Sequence, residues 1–368
     1  MSSPPRISIA LIGFGEIART IHLPLLRALP GARLVAIAEV DPRLRRDGER
    51  AAPGSPCVAD YRELLARPDI DAILIALPTA LHRDAAIASL RAGKHVYLEK
   101  PLASTLADGR ELLAAARRVD VVAMIGFNYR CHPLYERARR LLTSARIGTV
   151  LSIRTVFSTS RRDMPAWKST RSSGGGVLLD LASHHMDLLR WLLPVEITTV
   201  SAELRSVYSE DDTAALQLAM GNDIIAQCFF TFGGVEEDRI EIHGSAGKMT
   251  VDRYRSRDVE VSAPLARRHA LDVMAPVRAL NGLPHVVRKL RSPGQEPSYR
   301  VALERFIAAT RAGTSASPDF LDGYMSLAVI DAAERSALIG RAMPPDPPPS
   351  PSRSDAMSHT ATSIGGGA

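Results

Sequence analysis

The chain has 368 residues, 46% of them hydrophobic and 23% charged, with a formal net charge of +6 and a pI near 9.4. That length holds two domains with cores of their own, and no apolar run reaches the roughly 18 residues of a membrane-spanning helix. The basic balance comes with no nucleic-acid-binding motif, which excludes DNA and RNA as partners; three cysteines without C-x-x-C spacing (Cys57, Cys131, Cys228) exclude a cysteine-built zinc site and fit a reducing cytoplasm.

The first predicted element is an apolar strand from Arg6 to Ile12. It runs into Gly13-Phe14-Gly15-Glu16-Ile17-Ala18, a G-x-G-x-x-A turn, and then a helix from Ile17 to Leu29 closed by Pro30-Gly31. The glycine turn also explains this apolar N-terminal stretch better than a signal peptide does. A second strand, Arg33 to Ala38, ends at Glu39. Strand, glycine turn, helix, strand and acid is the context a dinucleotide site requires. Gly13 permits the tight turn, Gly15 lets a pyrophosphate approach the backbone, and Ala18 lets the helix pack closely on the strand. The phosphates would sit at the helix N-terminus, where free N–H groups and the dipole favour negative charge. A carboxylate at Glu39 would accept from a ribose 2′-hydroxyl and repel a 2′-phosphate, which favours NAD. Arg43, Arg45 and Arg46 follow closely and either hold such a phosphate, making NADP the alternative, or begin a solvated helix.

A strand over Ala72 to Leu77 leads through Pro78-Thr79 into a helix carrying His82, which either faces a nicotinamide ribose or packs the helix start. Next, Lys94 to Leu98 leads into Glu99-Lys100-Pro101. Proline and a charged pair do not belong in a buried strand interior, so this triplet marks a sheet edge. Ligands of open parallel sheets bind at the carboxyl ends of strands, which makes Lys100 a candidate for chemistry; alone, it also reads as a surface lysine at a strand end. A helix over Leu106 to Arg118 and a strand over Val121 to Gly126 complete an alternating pattern that predicts a parallel, doubly wound sheet.

Strands over Leu151 to Phe157, Thr198 to Val207, Thr213 to Met220, Ile224 to Phe232, Ile240 to His243 and Lys248 to Val251 predict one broad, mainly antiparallel sheet. Closing helices are expected over Tyr299 to Arg311 and Tyr324 to Ile339. Between the first two strands lies the loop 157–173, in which Arg161, Arg162, Lys168 and Arg171 are candidates to line a pocket. Trp167 either joins that lining or pins the loop. Three glycines, 174–176, precede a helix with Asp180 and His184 four residues apart, on one face and one turn apart. Asp187 supports His184 or the fold. The basic stretch 267–291 reads as a subunit contact, a phosphate clamp or a solvated loop. The expected division is 1–126, 127–343 and a Pro/Ser/Gly-rich disordered tail, 344–368.

Gly13-x-Gly15-x-x-Ala18, Glu99-Lys100-Pro101, Gly126-Phe127-Asn128-Tyr129-Arg130 with His132-Pro133, the run from Gly174 to Asp187, and Ile240 to Gly247 occur in one order. Together they resemble the family of glucose–fructose oxidoreductase and inositol dehydrogenase (Gfo/Idh/MocA), over roughly residues 6 to 343. The resemblance implies an α/β Rossmann domain followed by an α+β domain with a large, mainly antiparallel, open-faced sheet used for homo-oligomer contacts, as a dimer or tetramer. It implies a cis bond between Lys100 and Pro101. It makes Lys100, Asp180 and His184 the catalytic trio of an NAD(P)-dependent dehydrogenase or reductase of a sugar, cyclitol or polyol. His184 would move the hydroxyl proton, Asp180 would orient it, and Lys100 would stabilise negative charge on the same oxygen. The cofactor candidates are Gly13, Phe14, Gly15, Glu16, Ile17, Glu39, Pro78, His82, Glu99 and Lys100; the substrate candidates are Asn128, Arg130, Trp167 and His184. No metal, membrane or nucleic acid is implied. The rivals are a keto-reductase of a nucleotide-activated sugar and a dinucleotide-binding regulatory protein without turnover.

Overall fold

The computed structural model of the chain describes residues 5–161, 163–263, 287, 289–292 and 296–350. They form two compact units: residues 5–126 with 303–325 and 347–350, and the described residues of 127–302 with 326–346. The return of 303–325 to the first unit is not in the expected division, which ran the second domain unbroken from 127 to 343.

The first unit is built on a parallel sheet. Its strands are β1 (Ile7–Ile12), β2 (Ala32–Ala38), β3 (Cys57–Val58), β4 (Ala72–Ile75), β5 (His95–Leu98) and β6 (Ala123–Ile125), in the order β3-β2-β1-β4-β5-β6. Ile9, Leu11, Ile73, Leu74, Val96 and Leu98 are fully buried, as expected of parallel strands covered on both faces. The helix after β1 opens with a π-helical turn, Ala18–His22, and continues as α1 (Leu23–Ala28). Helix α2 (Pro42–Ala51) follows β2, capped by Asp41, whose Oδ1 accepts from the amides of Arg43 and Leu44. Then come α3 (Arg62–Leu65), α4 (His82–Arg91) and α5 (Leu106–Ala116), the last capped by Thr105. The two-residue β3 was not expected; it is too short to carry a hydrophobic period.

The second unit begins with α6 (Pro133–Thr143) and β7 (Val150–Ser158). A π-helical turn, Leu178–Ala182, leads into α7 (Ser183–Leu192). The strands β8 (Ile197–Arg205), β9 (Thr213–Met220), β10 (Ile224–Thr231), β11 (Glu237–Gly244), β12 (Gly247–Asp252) and β13 (Glu260–Ser262) complete a seven-stranded sheet in the order β13-β12-β11-β7-β10-β9-β8. All its pairings are antiparallel except β7 with β10. Along β9, Leu216, Leu218 and Met220 are buried while Gln217 and Ala219 are exposed, so one face packs and the other is open. Helices α8 (Ser298–Ala312) and α9 (Phe320–Ile339) close the described chain.

The start of the expected disordered tail is ordered. Pro347 O accepts from Tyr324 Oη (3.1 Å) and Pro349 O from Arg117 Nη1 (2.6 Å), while in the other unit Arg335 Nη2 reaches Pro344 O and Asp346 Oδ1. Prolines donate no backbone hydrogen bond, but their carbonyls accept, and that is how this segment is held. Residues 351–368, Arg162, and 267–286 and 288 of the basic stretch lie outside the described residues.

Candidate active site

The glycine turn sits at the carboxyl end of β1. Gly13 has φ +89°, and a Cβ there would meet Ala76 O at 2.6 Å, so only glycine fits the turn. A Cβ on Gly15 would meet nothing within 4 Å, which leaves open space where a phosphate would approach. The amides that follow, Glu16 and Ile17, head the helical run and have no partner within it. Glu39 is buried at the end of β2. Its Oε2 accepts from Phe14 N (2.7 Å) and its Oε1 from Asp41 N (2.8 Å), so one carboxylate ties the turn to the strand end. Arg45 Nη1 donates to Glu39 O (2.9 Å), which fixes it on the backbone; Arg43 and Arg46 stand on α2. These residues fit a dinucleotide: a turn without Cβ, helix amides, and a carboxylate at the ribose end with spare lone pairs.

The other cofactor candidates divide. Lys100 is half-buried at the carboxyl end of β5, on the same sheet edge as the glycine turn, and its bond to Pro101 is cis. Pro78 is half-buried after β4. Glu99 instead turns inward: its Oε1 lies 2.7 Å from His22 Nε2, with both side chains buried. Gly126 packs against it, since a Cβ there would meet Glu99 Oε2 at 3.1 Å. His82 is also structural. Its ring lies between Pro101 O (2.8 Å from Nδ1) and Leu77 O (3.0 Å from Nε2), which leaves neither nitrogen for a ribose hydroxyl. Burial pushes its pKa down while both carbonyls favour the charged ring, and the ring is pinned between the end of β4 and the Lys100–Pro101 turn. Packing, the second reading of His82, is the one the geometry matches; the ribose contact is corrected.

In the second unit, the residue spacing meets a helical irregularity. Asp180 falls in the π-helical turn and His184 in the α-helix after it, so four residues make less than the full turn expected from α geometry. Lys168 Nζ binds Asp180 Oδ2 at 3.0 Å. Gly175 explains how: a Cβ there would collide with the carbonyls of Lys168 and Trp167, so the glycine lets the 167–168 backbone press against the helix start. Trp167 is half-exposed, with Lys168 Nζ 5.4 Å from its ring centroid. His184 is 7% exposed, and its ring stacks on Tyr129 with centroids 4.2 Å apart and planes 15° apart.

Arg130 was expected at the substrate, and the structure shows what holds it. Its guanidinium forms a forked pair with Asp187 (2.8 and 2.5 Å), both buried. Asn128 is 1% exposed; its Nδ2 donates to Ser298 Oγ (2.7 Å), while its Oδ1 has no hydrogen-bond partner among the described residues. A buried acceptor left open this way is costly unless a ligand satisfies it. Sequence reasoning missed the cluster beneath these residues. Asp238 Oδ2 accepts from Arg253 Nε (2.6 Å), and its Oδ1 lies 3.0 Å from His185 Nε2 and accepts from Tyr135 Oη (3.1 Å). Arg253 Nη1 also donates to Glu296 Oε2 (2.6 Å). A signal existed: in β11, Asp238 shares its parity with the buried Ile240 and Ile242, and so faces inward.

Among the described residues no cluster of acidic, histidine and cysteine side chains suits a metal ion, and no helix is long and apolar enough to cross a membrane.

Two family models match the chain. Residues 7–127 match an oxidoreductase family with an NAD-binding Rossmann fold, and residues 135–250 match the GFO/IDH/MocA C-terminal domain. Inositol 2-dehydrogenase of Rhizobium meliloti is 29% identical over 343 residues, covering 90% of this chain and 96% of that protein. dTDP-3,4-didehydro-2,6-dideoxy-alpha-D-glucose 3-reductase of Saccharopolyspora spinosa is 27% identical, covering 93% and 98%. A levoglucosan dehydrogenase solved with NADH and levoglucosan superposes with a TM-score of 0.81 at 25% identity, over 93% of this chain and all of that one.

Proposed function

The chain belongs to the Gfo/Idh/MocA oxidoreductase family and is an NAD-binding dehydrogenase or reductase, and from that premise we propose that it interconverts a carbinol and a carbonyl on a sugar or cyclitol, with Lys100, Asp180 and His184 as its catalytic residues. One observation carries the reading. Lys100 stands at the carboxyl end of β5, two strands from β1 and its glycine turn, in an all-parallel sheet whose order reverses beside β1. A lysine at that edge lies where substrates of such sheets bind.

The bound nicotinamide supplies the hydride chemistry. Gly13 and Gly15 shape the turn for its phosphates, and Glu39 receives the ribose. His184 takes the hydroxyl proton as general base and returns it in the reverse direction. Lys100 donates to the same oxygen and stabilises charge as it develops. Asp180, anchored by Lys168, supplies the carboxylate that orients the base. Trp167 offers a half-exposed ring to the apolar face of a sugar, and the open Oδ1 of Asn128 offers an acceptor for a donor on the ligand. Arg130, its guanidinium fixed by Asp187, keeps its place beside the substrate.

The test is a panel of cyclitols, aldoses, anhydro-sugars and nucleotide sugars, each with NAD and NADP, read by absorbance of the reduced cofactor. A cyclitol or free sugar should be turned over, faster with NAD. Turnover of nucleotide sugars alone would replace this reading by the keto-reductase one, which the Saccharopolyspora spinosa relative favours. Preference for NADP would overturn the role of Glu39. Nothing observed favours a regulatory protein without turnover.

The open face of the second sheet supports self-association. Ile225 and Phe229, both on β10, are 54% and 41% exposed there, a pair of large apolar side chains that a solvated sheet face has no use for. Light scattering of the full chain should give a dimer or tetramer, and Ile225→Asp should shift it toward monomer. A monomeric wild type at micromolar concentration would end the proposal.

A further inference from the structure

A general base must aim its ring nitrogen as well as ionise suitably. Histidine is poorly restrained by its own covalent geometry, because rotation about the bond to the ring is broad and roughly two-fold. What fixes the plane of His184 is therefore a question of its neighbours. Phe127 meets the ring edge-on at 6.4 Å and Phe157 at a tilt at 6.3 Å. Tyr129 alone among these lies flat against it, at 4.2 Å and 15°.

Tyr129 is itself fixed from several sides. It belongs to the short helical turn Asn128–Cys131 that follows β6, and it is 5% exposed. Its ring stacks on Tyr135 at 5.8 Å, and the guanidinium carbon of Arg253 lies over it, 4.5 Å from the centroid. Arg253 cannot wander, because Asp238 and Glu296 each take one of its nitrogens at 2.6 Å. A guanidinium over a phenol face is attractive, and here the charge is largely shielded from water and pinned.

Resting on the assignment of His184 as the base, we propose that Tyr129 is a positioning residue for this reaction: its ring sets the plane of the His184 imidazole, and Arg253, anchored by Asp238 and Glu296, sets the plane of Tyr129. The hydroxyl takes no part in the chemistry. Burial drives the Tyr129 phenol well above its ordinary pKa of 10, so it stays protonated and is no substitute base. The aromatic face is what matters, and any flat ring of that size at position 129 serves.

The experiment compares Tyr129→Phe with Tyr129→Leu in the full chain, using the substrate found in the panel. Tyr129→Leu should lose turnover by about 10- to 100-fold, the scale on which a small misplacement of a reacting group costs rate. KM and NADH affinity should hardly move. Tyr129→Phe should recover most of the turnover. The solvent deuterium isotope effect should rise in Tyr129→Leu alone, because the misaimed base makes proton transfer slower. A second readout needs no substrate: diethyl pyrocarbonate labelling of the His184 peptide, measured by mass spectrometry with NAD present. Labelling should be faster in Tyr129→Leu than in wild type or Tyr129→Phe. Wild-type turnover and wild-type labelling in Tyr129→Leu would overturn the proposal while leaving the base assignment intact. Normal turnover in His184→Ala would overturn the base assignment, and the labelling rates would still report whether the ring holds the imidazole.

Discussion

His184→Ala is expected to lower turnover by about 10²–10⁴-fold, the usual share of general acid–base catalysis and equivalent to about 3–5 kcal/mol of barrier. Cofactor affinity should stay near wild type, because the glycine turn and Glu39 belong to the first unit and His184 to the second. The structure removes the obvious substitutes. His185 is fully buried with its Nε2 on Asp238, and the phenol of Tyr129 is held protonated by burial. Lys100→Met should also be severely impaired, and Asp180→Asn less so. Because these side chains are assigned to one reacting centre, paired substitutions should cost less than the product of the single losses. Steady-state rates and NADH fluorescence titration on the same preparations check both halves. Near-normal turnover with intact NADH binding would mean that another group takes the proton.

Much of the fold was legible because its signals are local. The Gly13 turn is specified by residues adjacent in sequence, and the alternation of Leu216, Gln217 and Leu218 reads directly as a half-buried strand. The π-helical turn at Leu178–Ala182 was not legible, since an i→i+5 turn leaves no period of its own in five residues. The contacts at the site that sequence did not reveal share a different cause. Arg130 looked available because its partner, Asp187, lies 57 residues on. Glu99 looked like part of a charged edge because His22, 77 residues earlier, fills its other side. The stack of Arg253, Tyr129 and His184 joins three distant segments, none of which carries a motif for it. Residue type announces chemistry, but whether a charged side chain is free for it depends on contacts that sequence separation conceals.

The largest loss of stability should come from Arg253→Met, at about 3–5 kcal/mol, the cost of leaving a buried charge without its partner. The side chains of Arg253, Asp238 and Glu296 are 12%, 0% and 11% exposed, so this cluster sets one cation against two carboxylates nearly out of water. Removing the cation takes the guanidinium from both carboxylates, leaving Asp238 with only His185 and Tyr135 and Glu296 with only Ser298 and the His132 ring; Asp238→Asn removes one acid and leaves Arg253 paired with Glu296. Arg253→Met should therefore be the more damaging of the two, although it preserves the volume of the stem. Acid gives a second, independent sign. Burial alone would raise the pKa of Asp238, but Arg253 and the hydrogen bond from His185 outweigh it and hold the carboxyl far below its ordinary 3.8. A depressed carboxylate contributes stability that is present above its unfolded pKa and lost as pH falls through the folded one. Wild type should thus weaken below about pH 4. In Arg253→Met burial acts unopposed by the guanidinium, the carboxyls protonate more readily when folded, and the deficit relative to wild type should shrink as pH falls from about 7 toward 4. Urea unfolding of both variants at several pH values measures this. A deficit that stays constant with pH, or an Asp238→Asn variant less stable than Arg253→Met, would show that the guanidinium acts here by packing and not by neutralising the two acids.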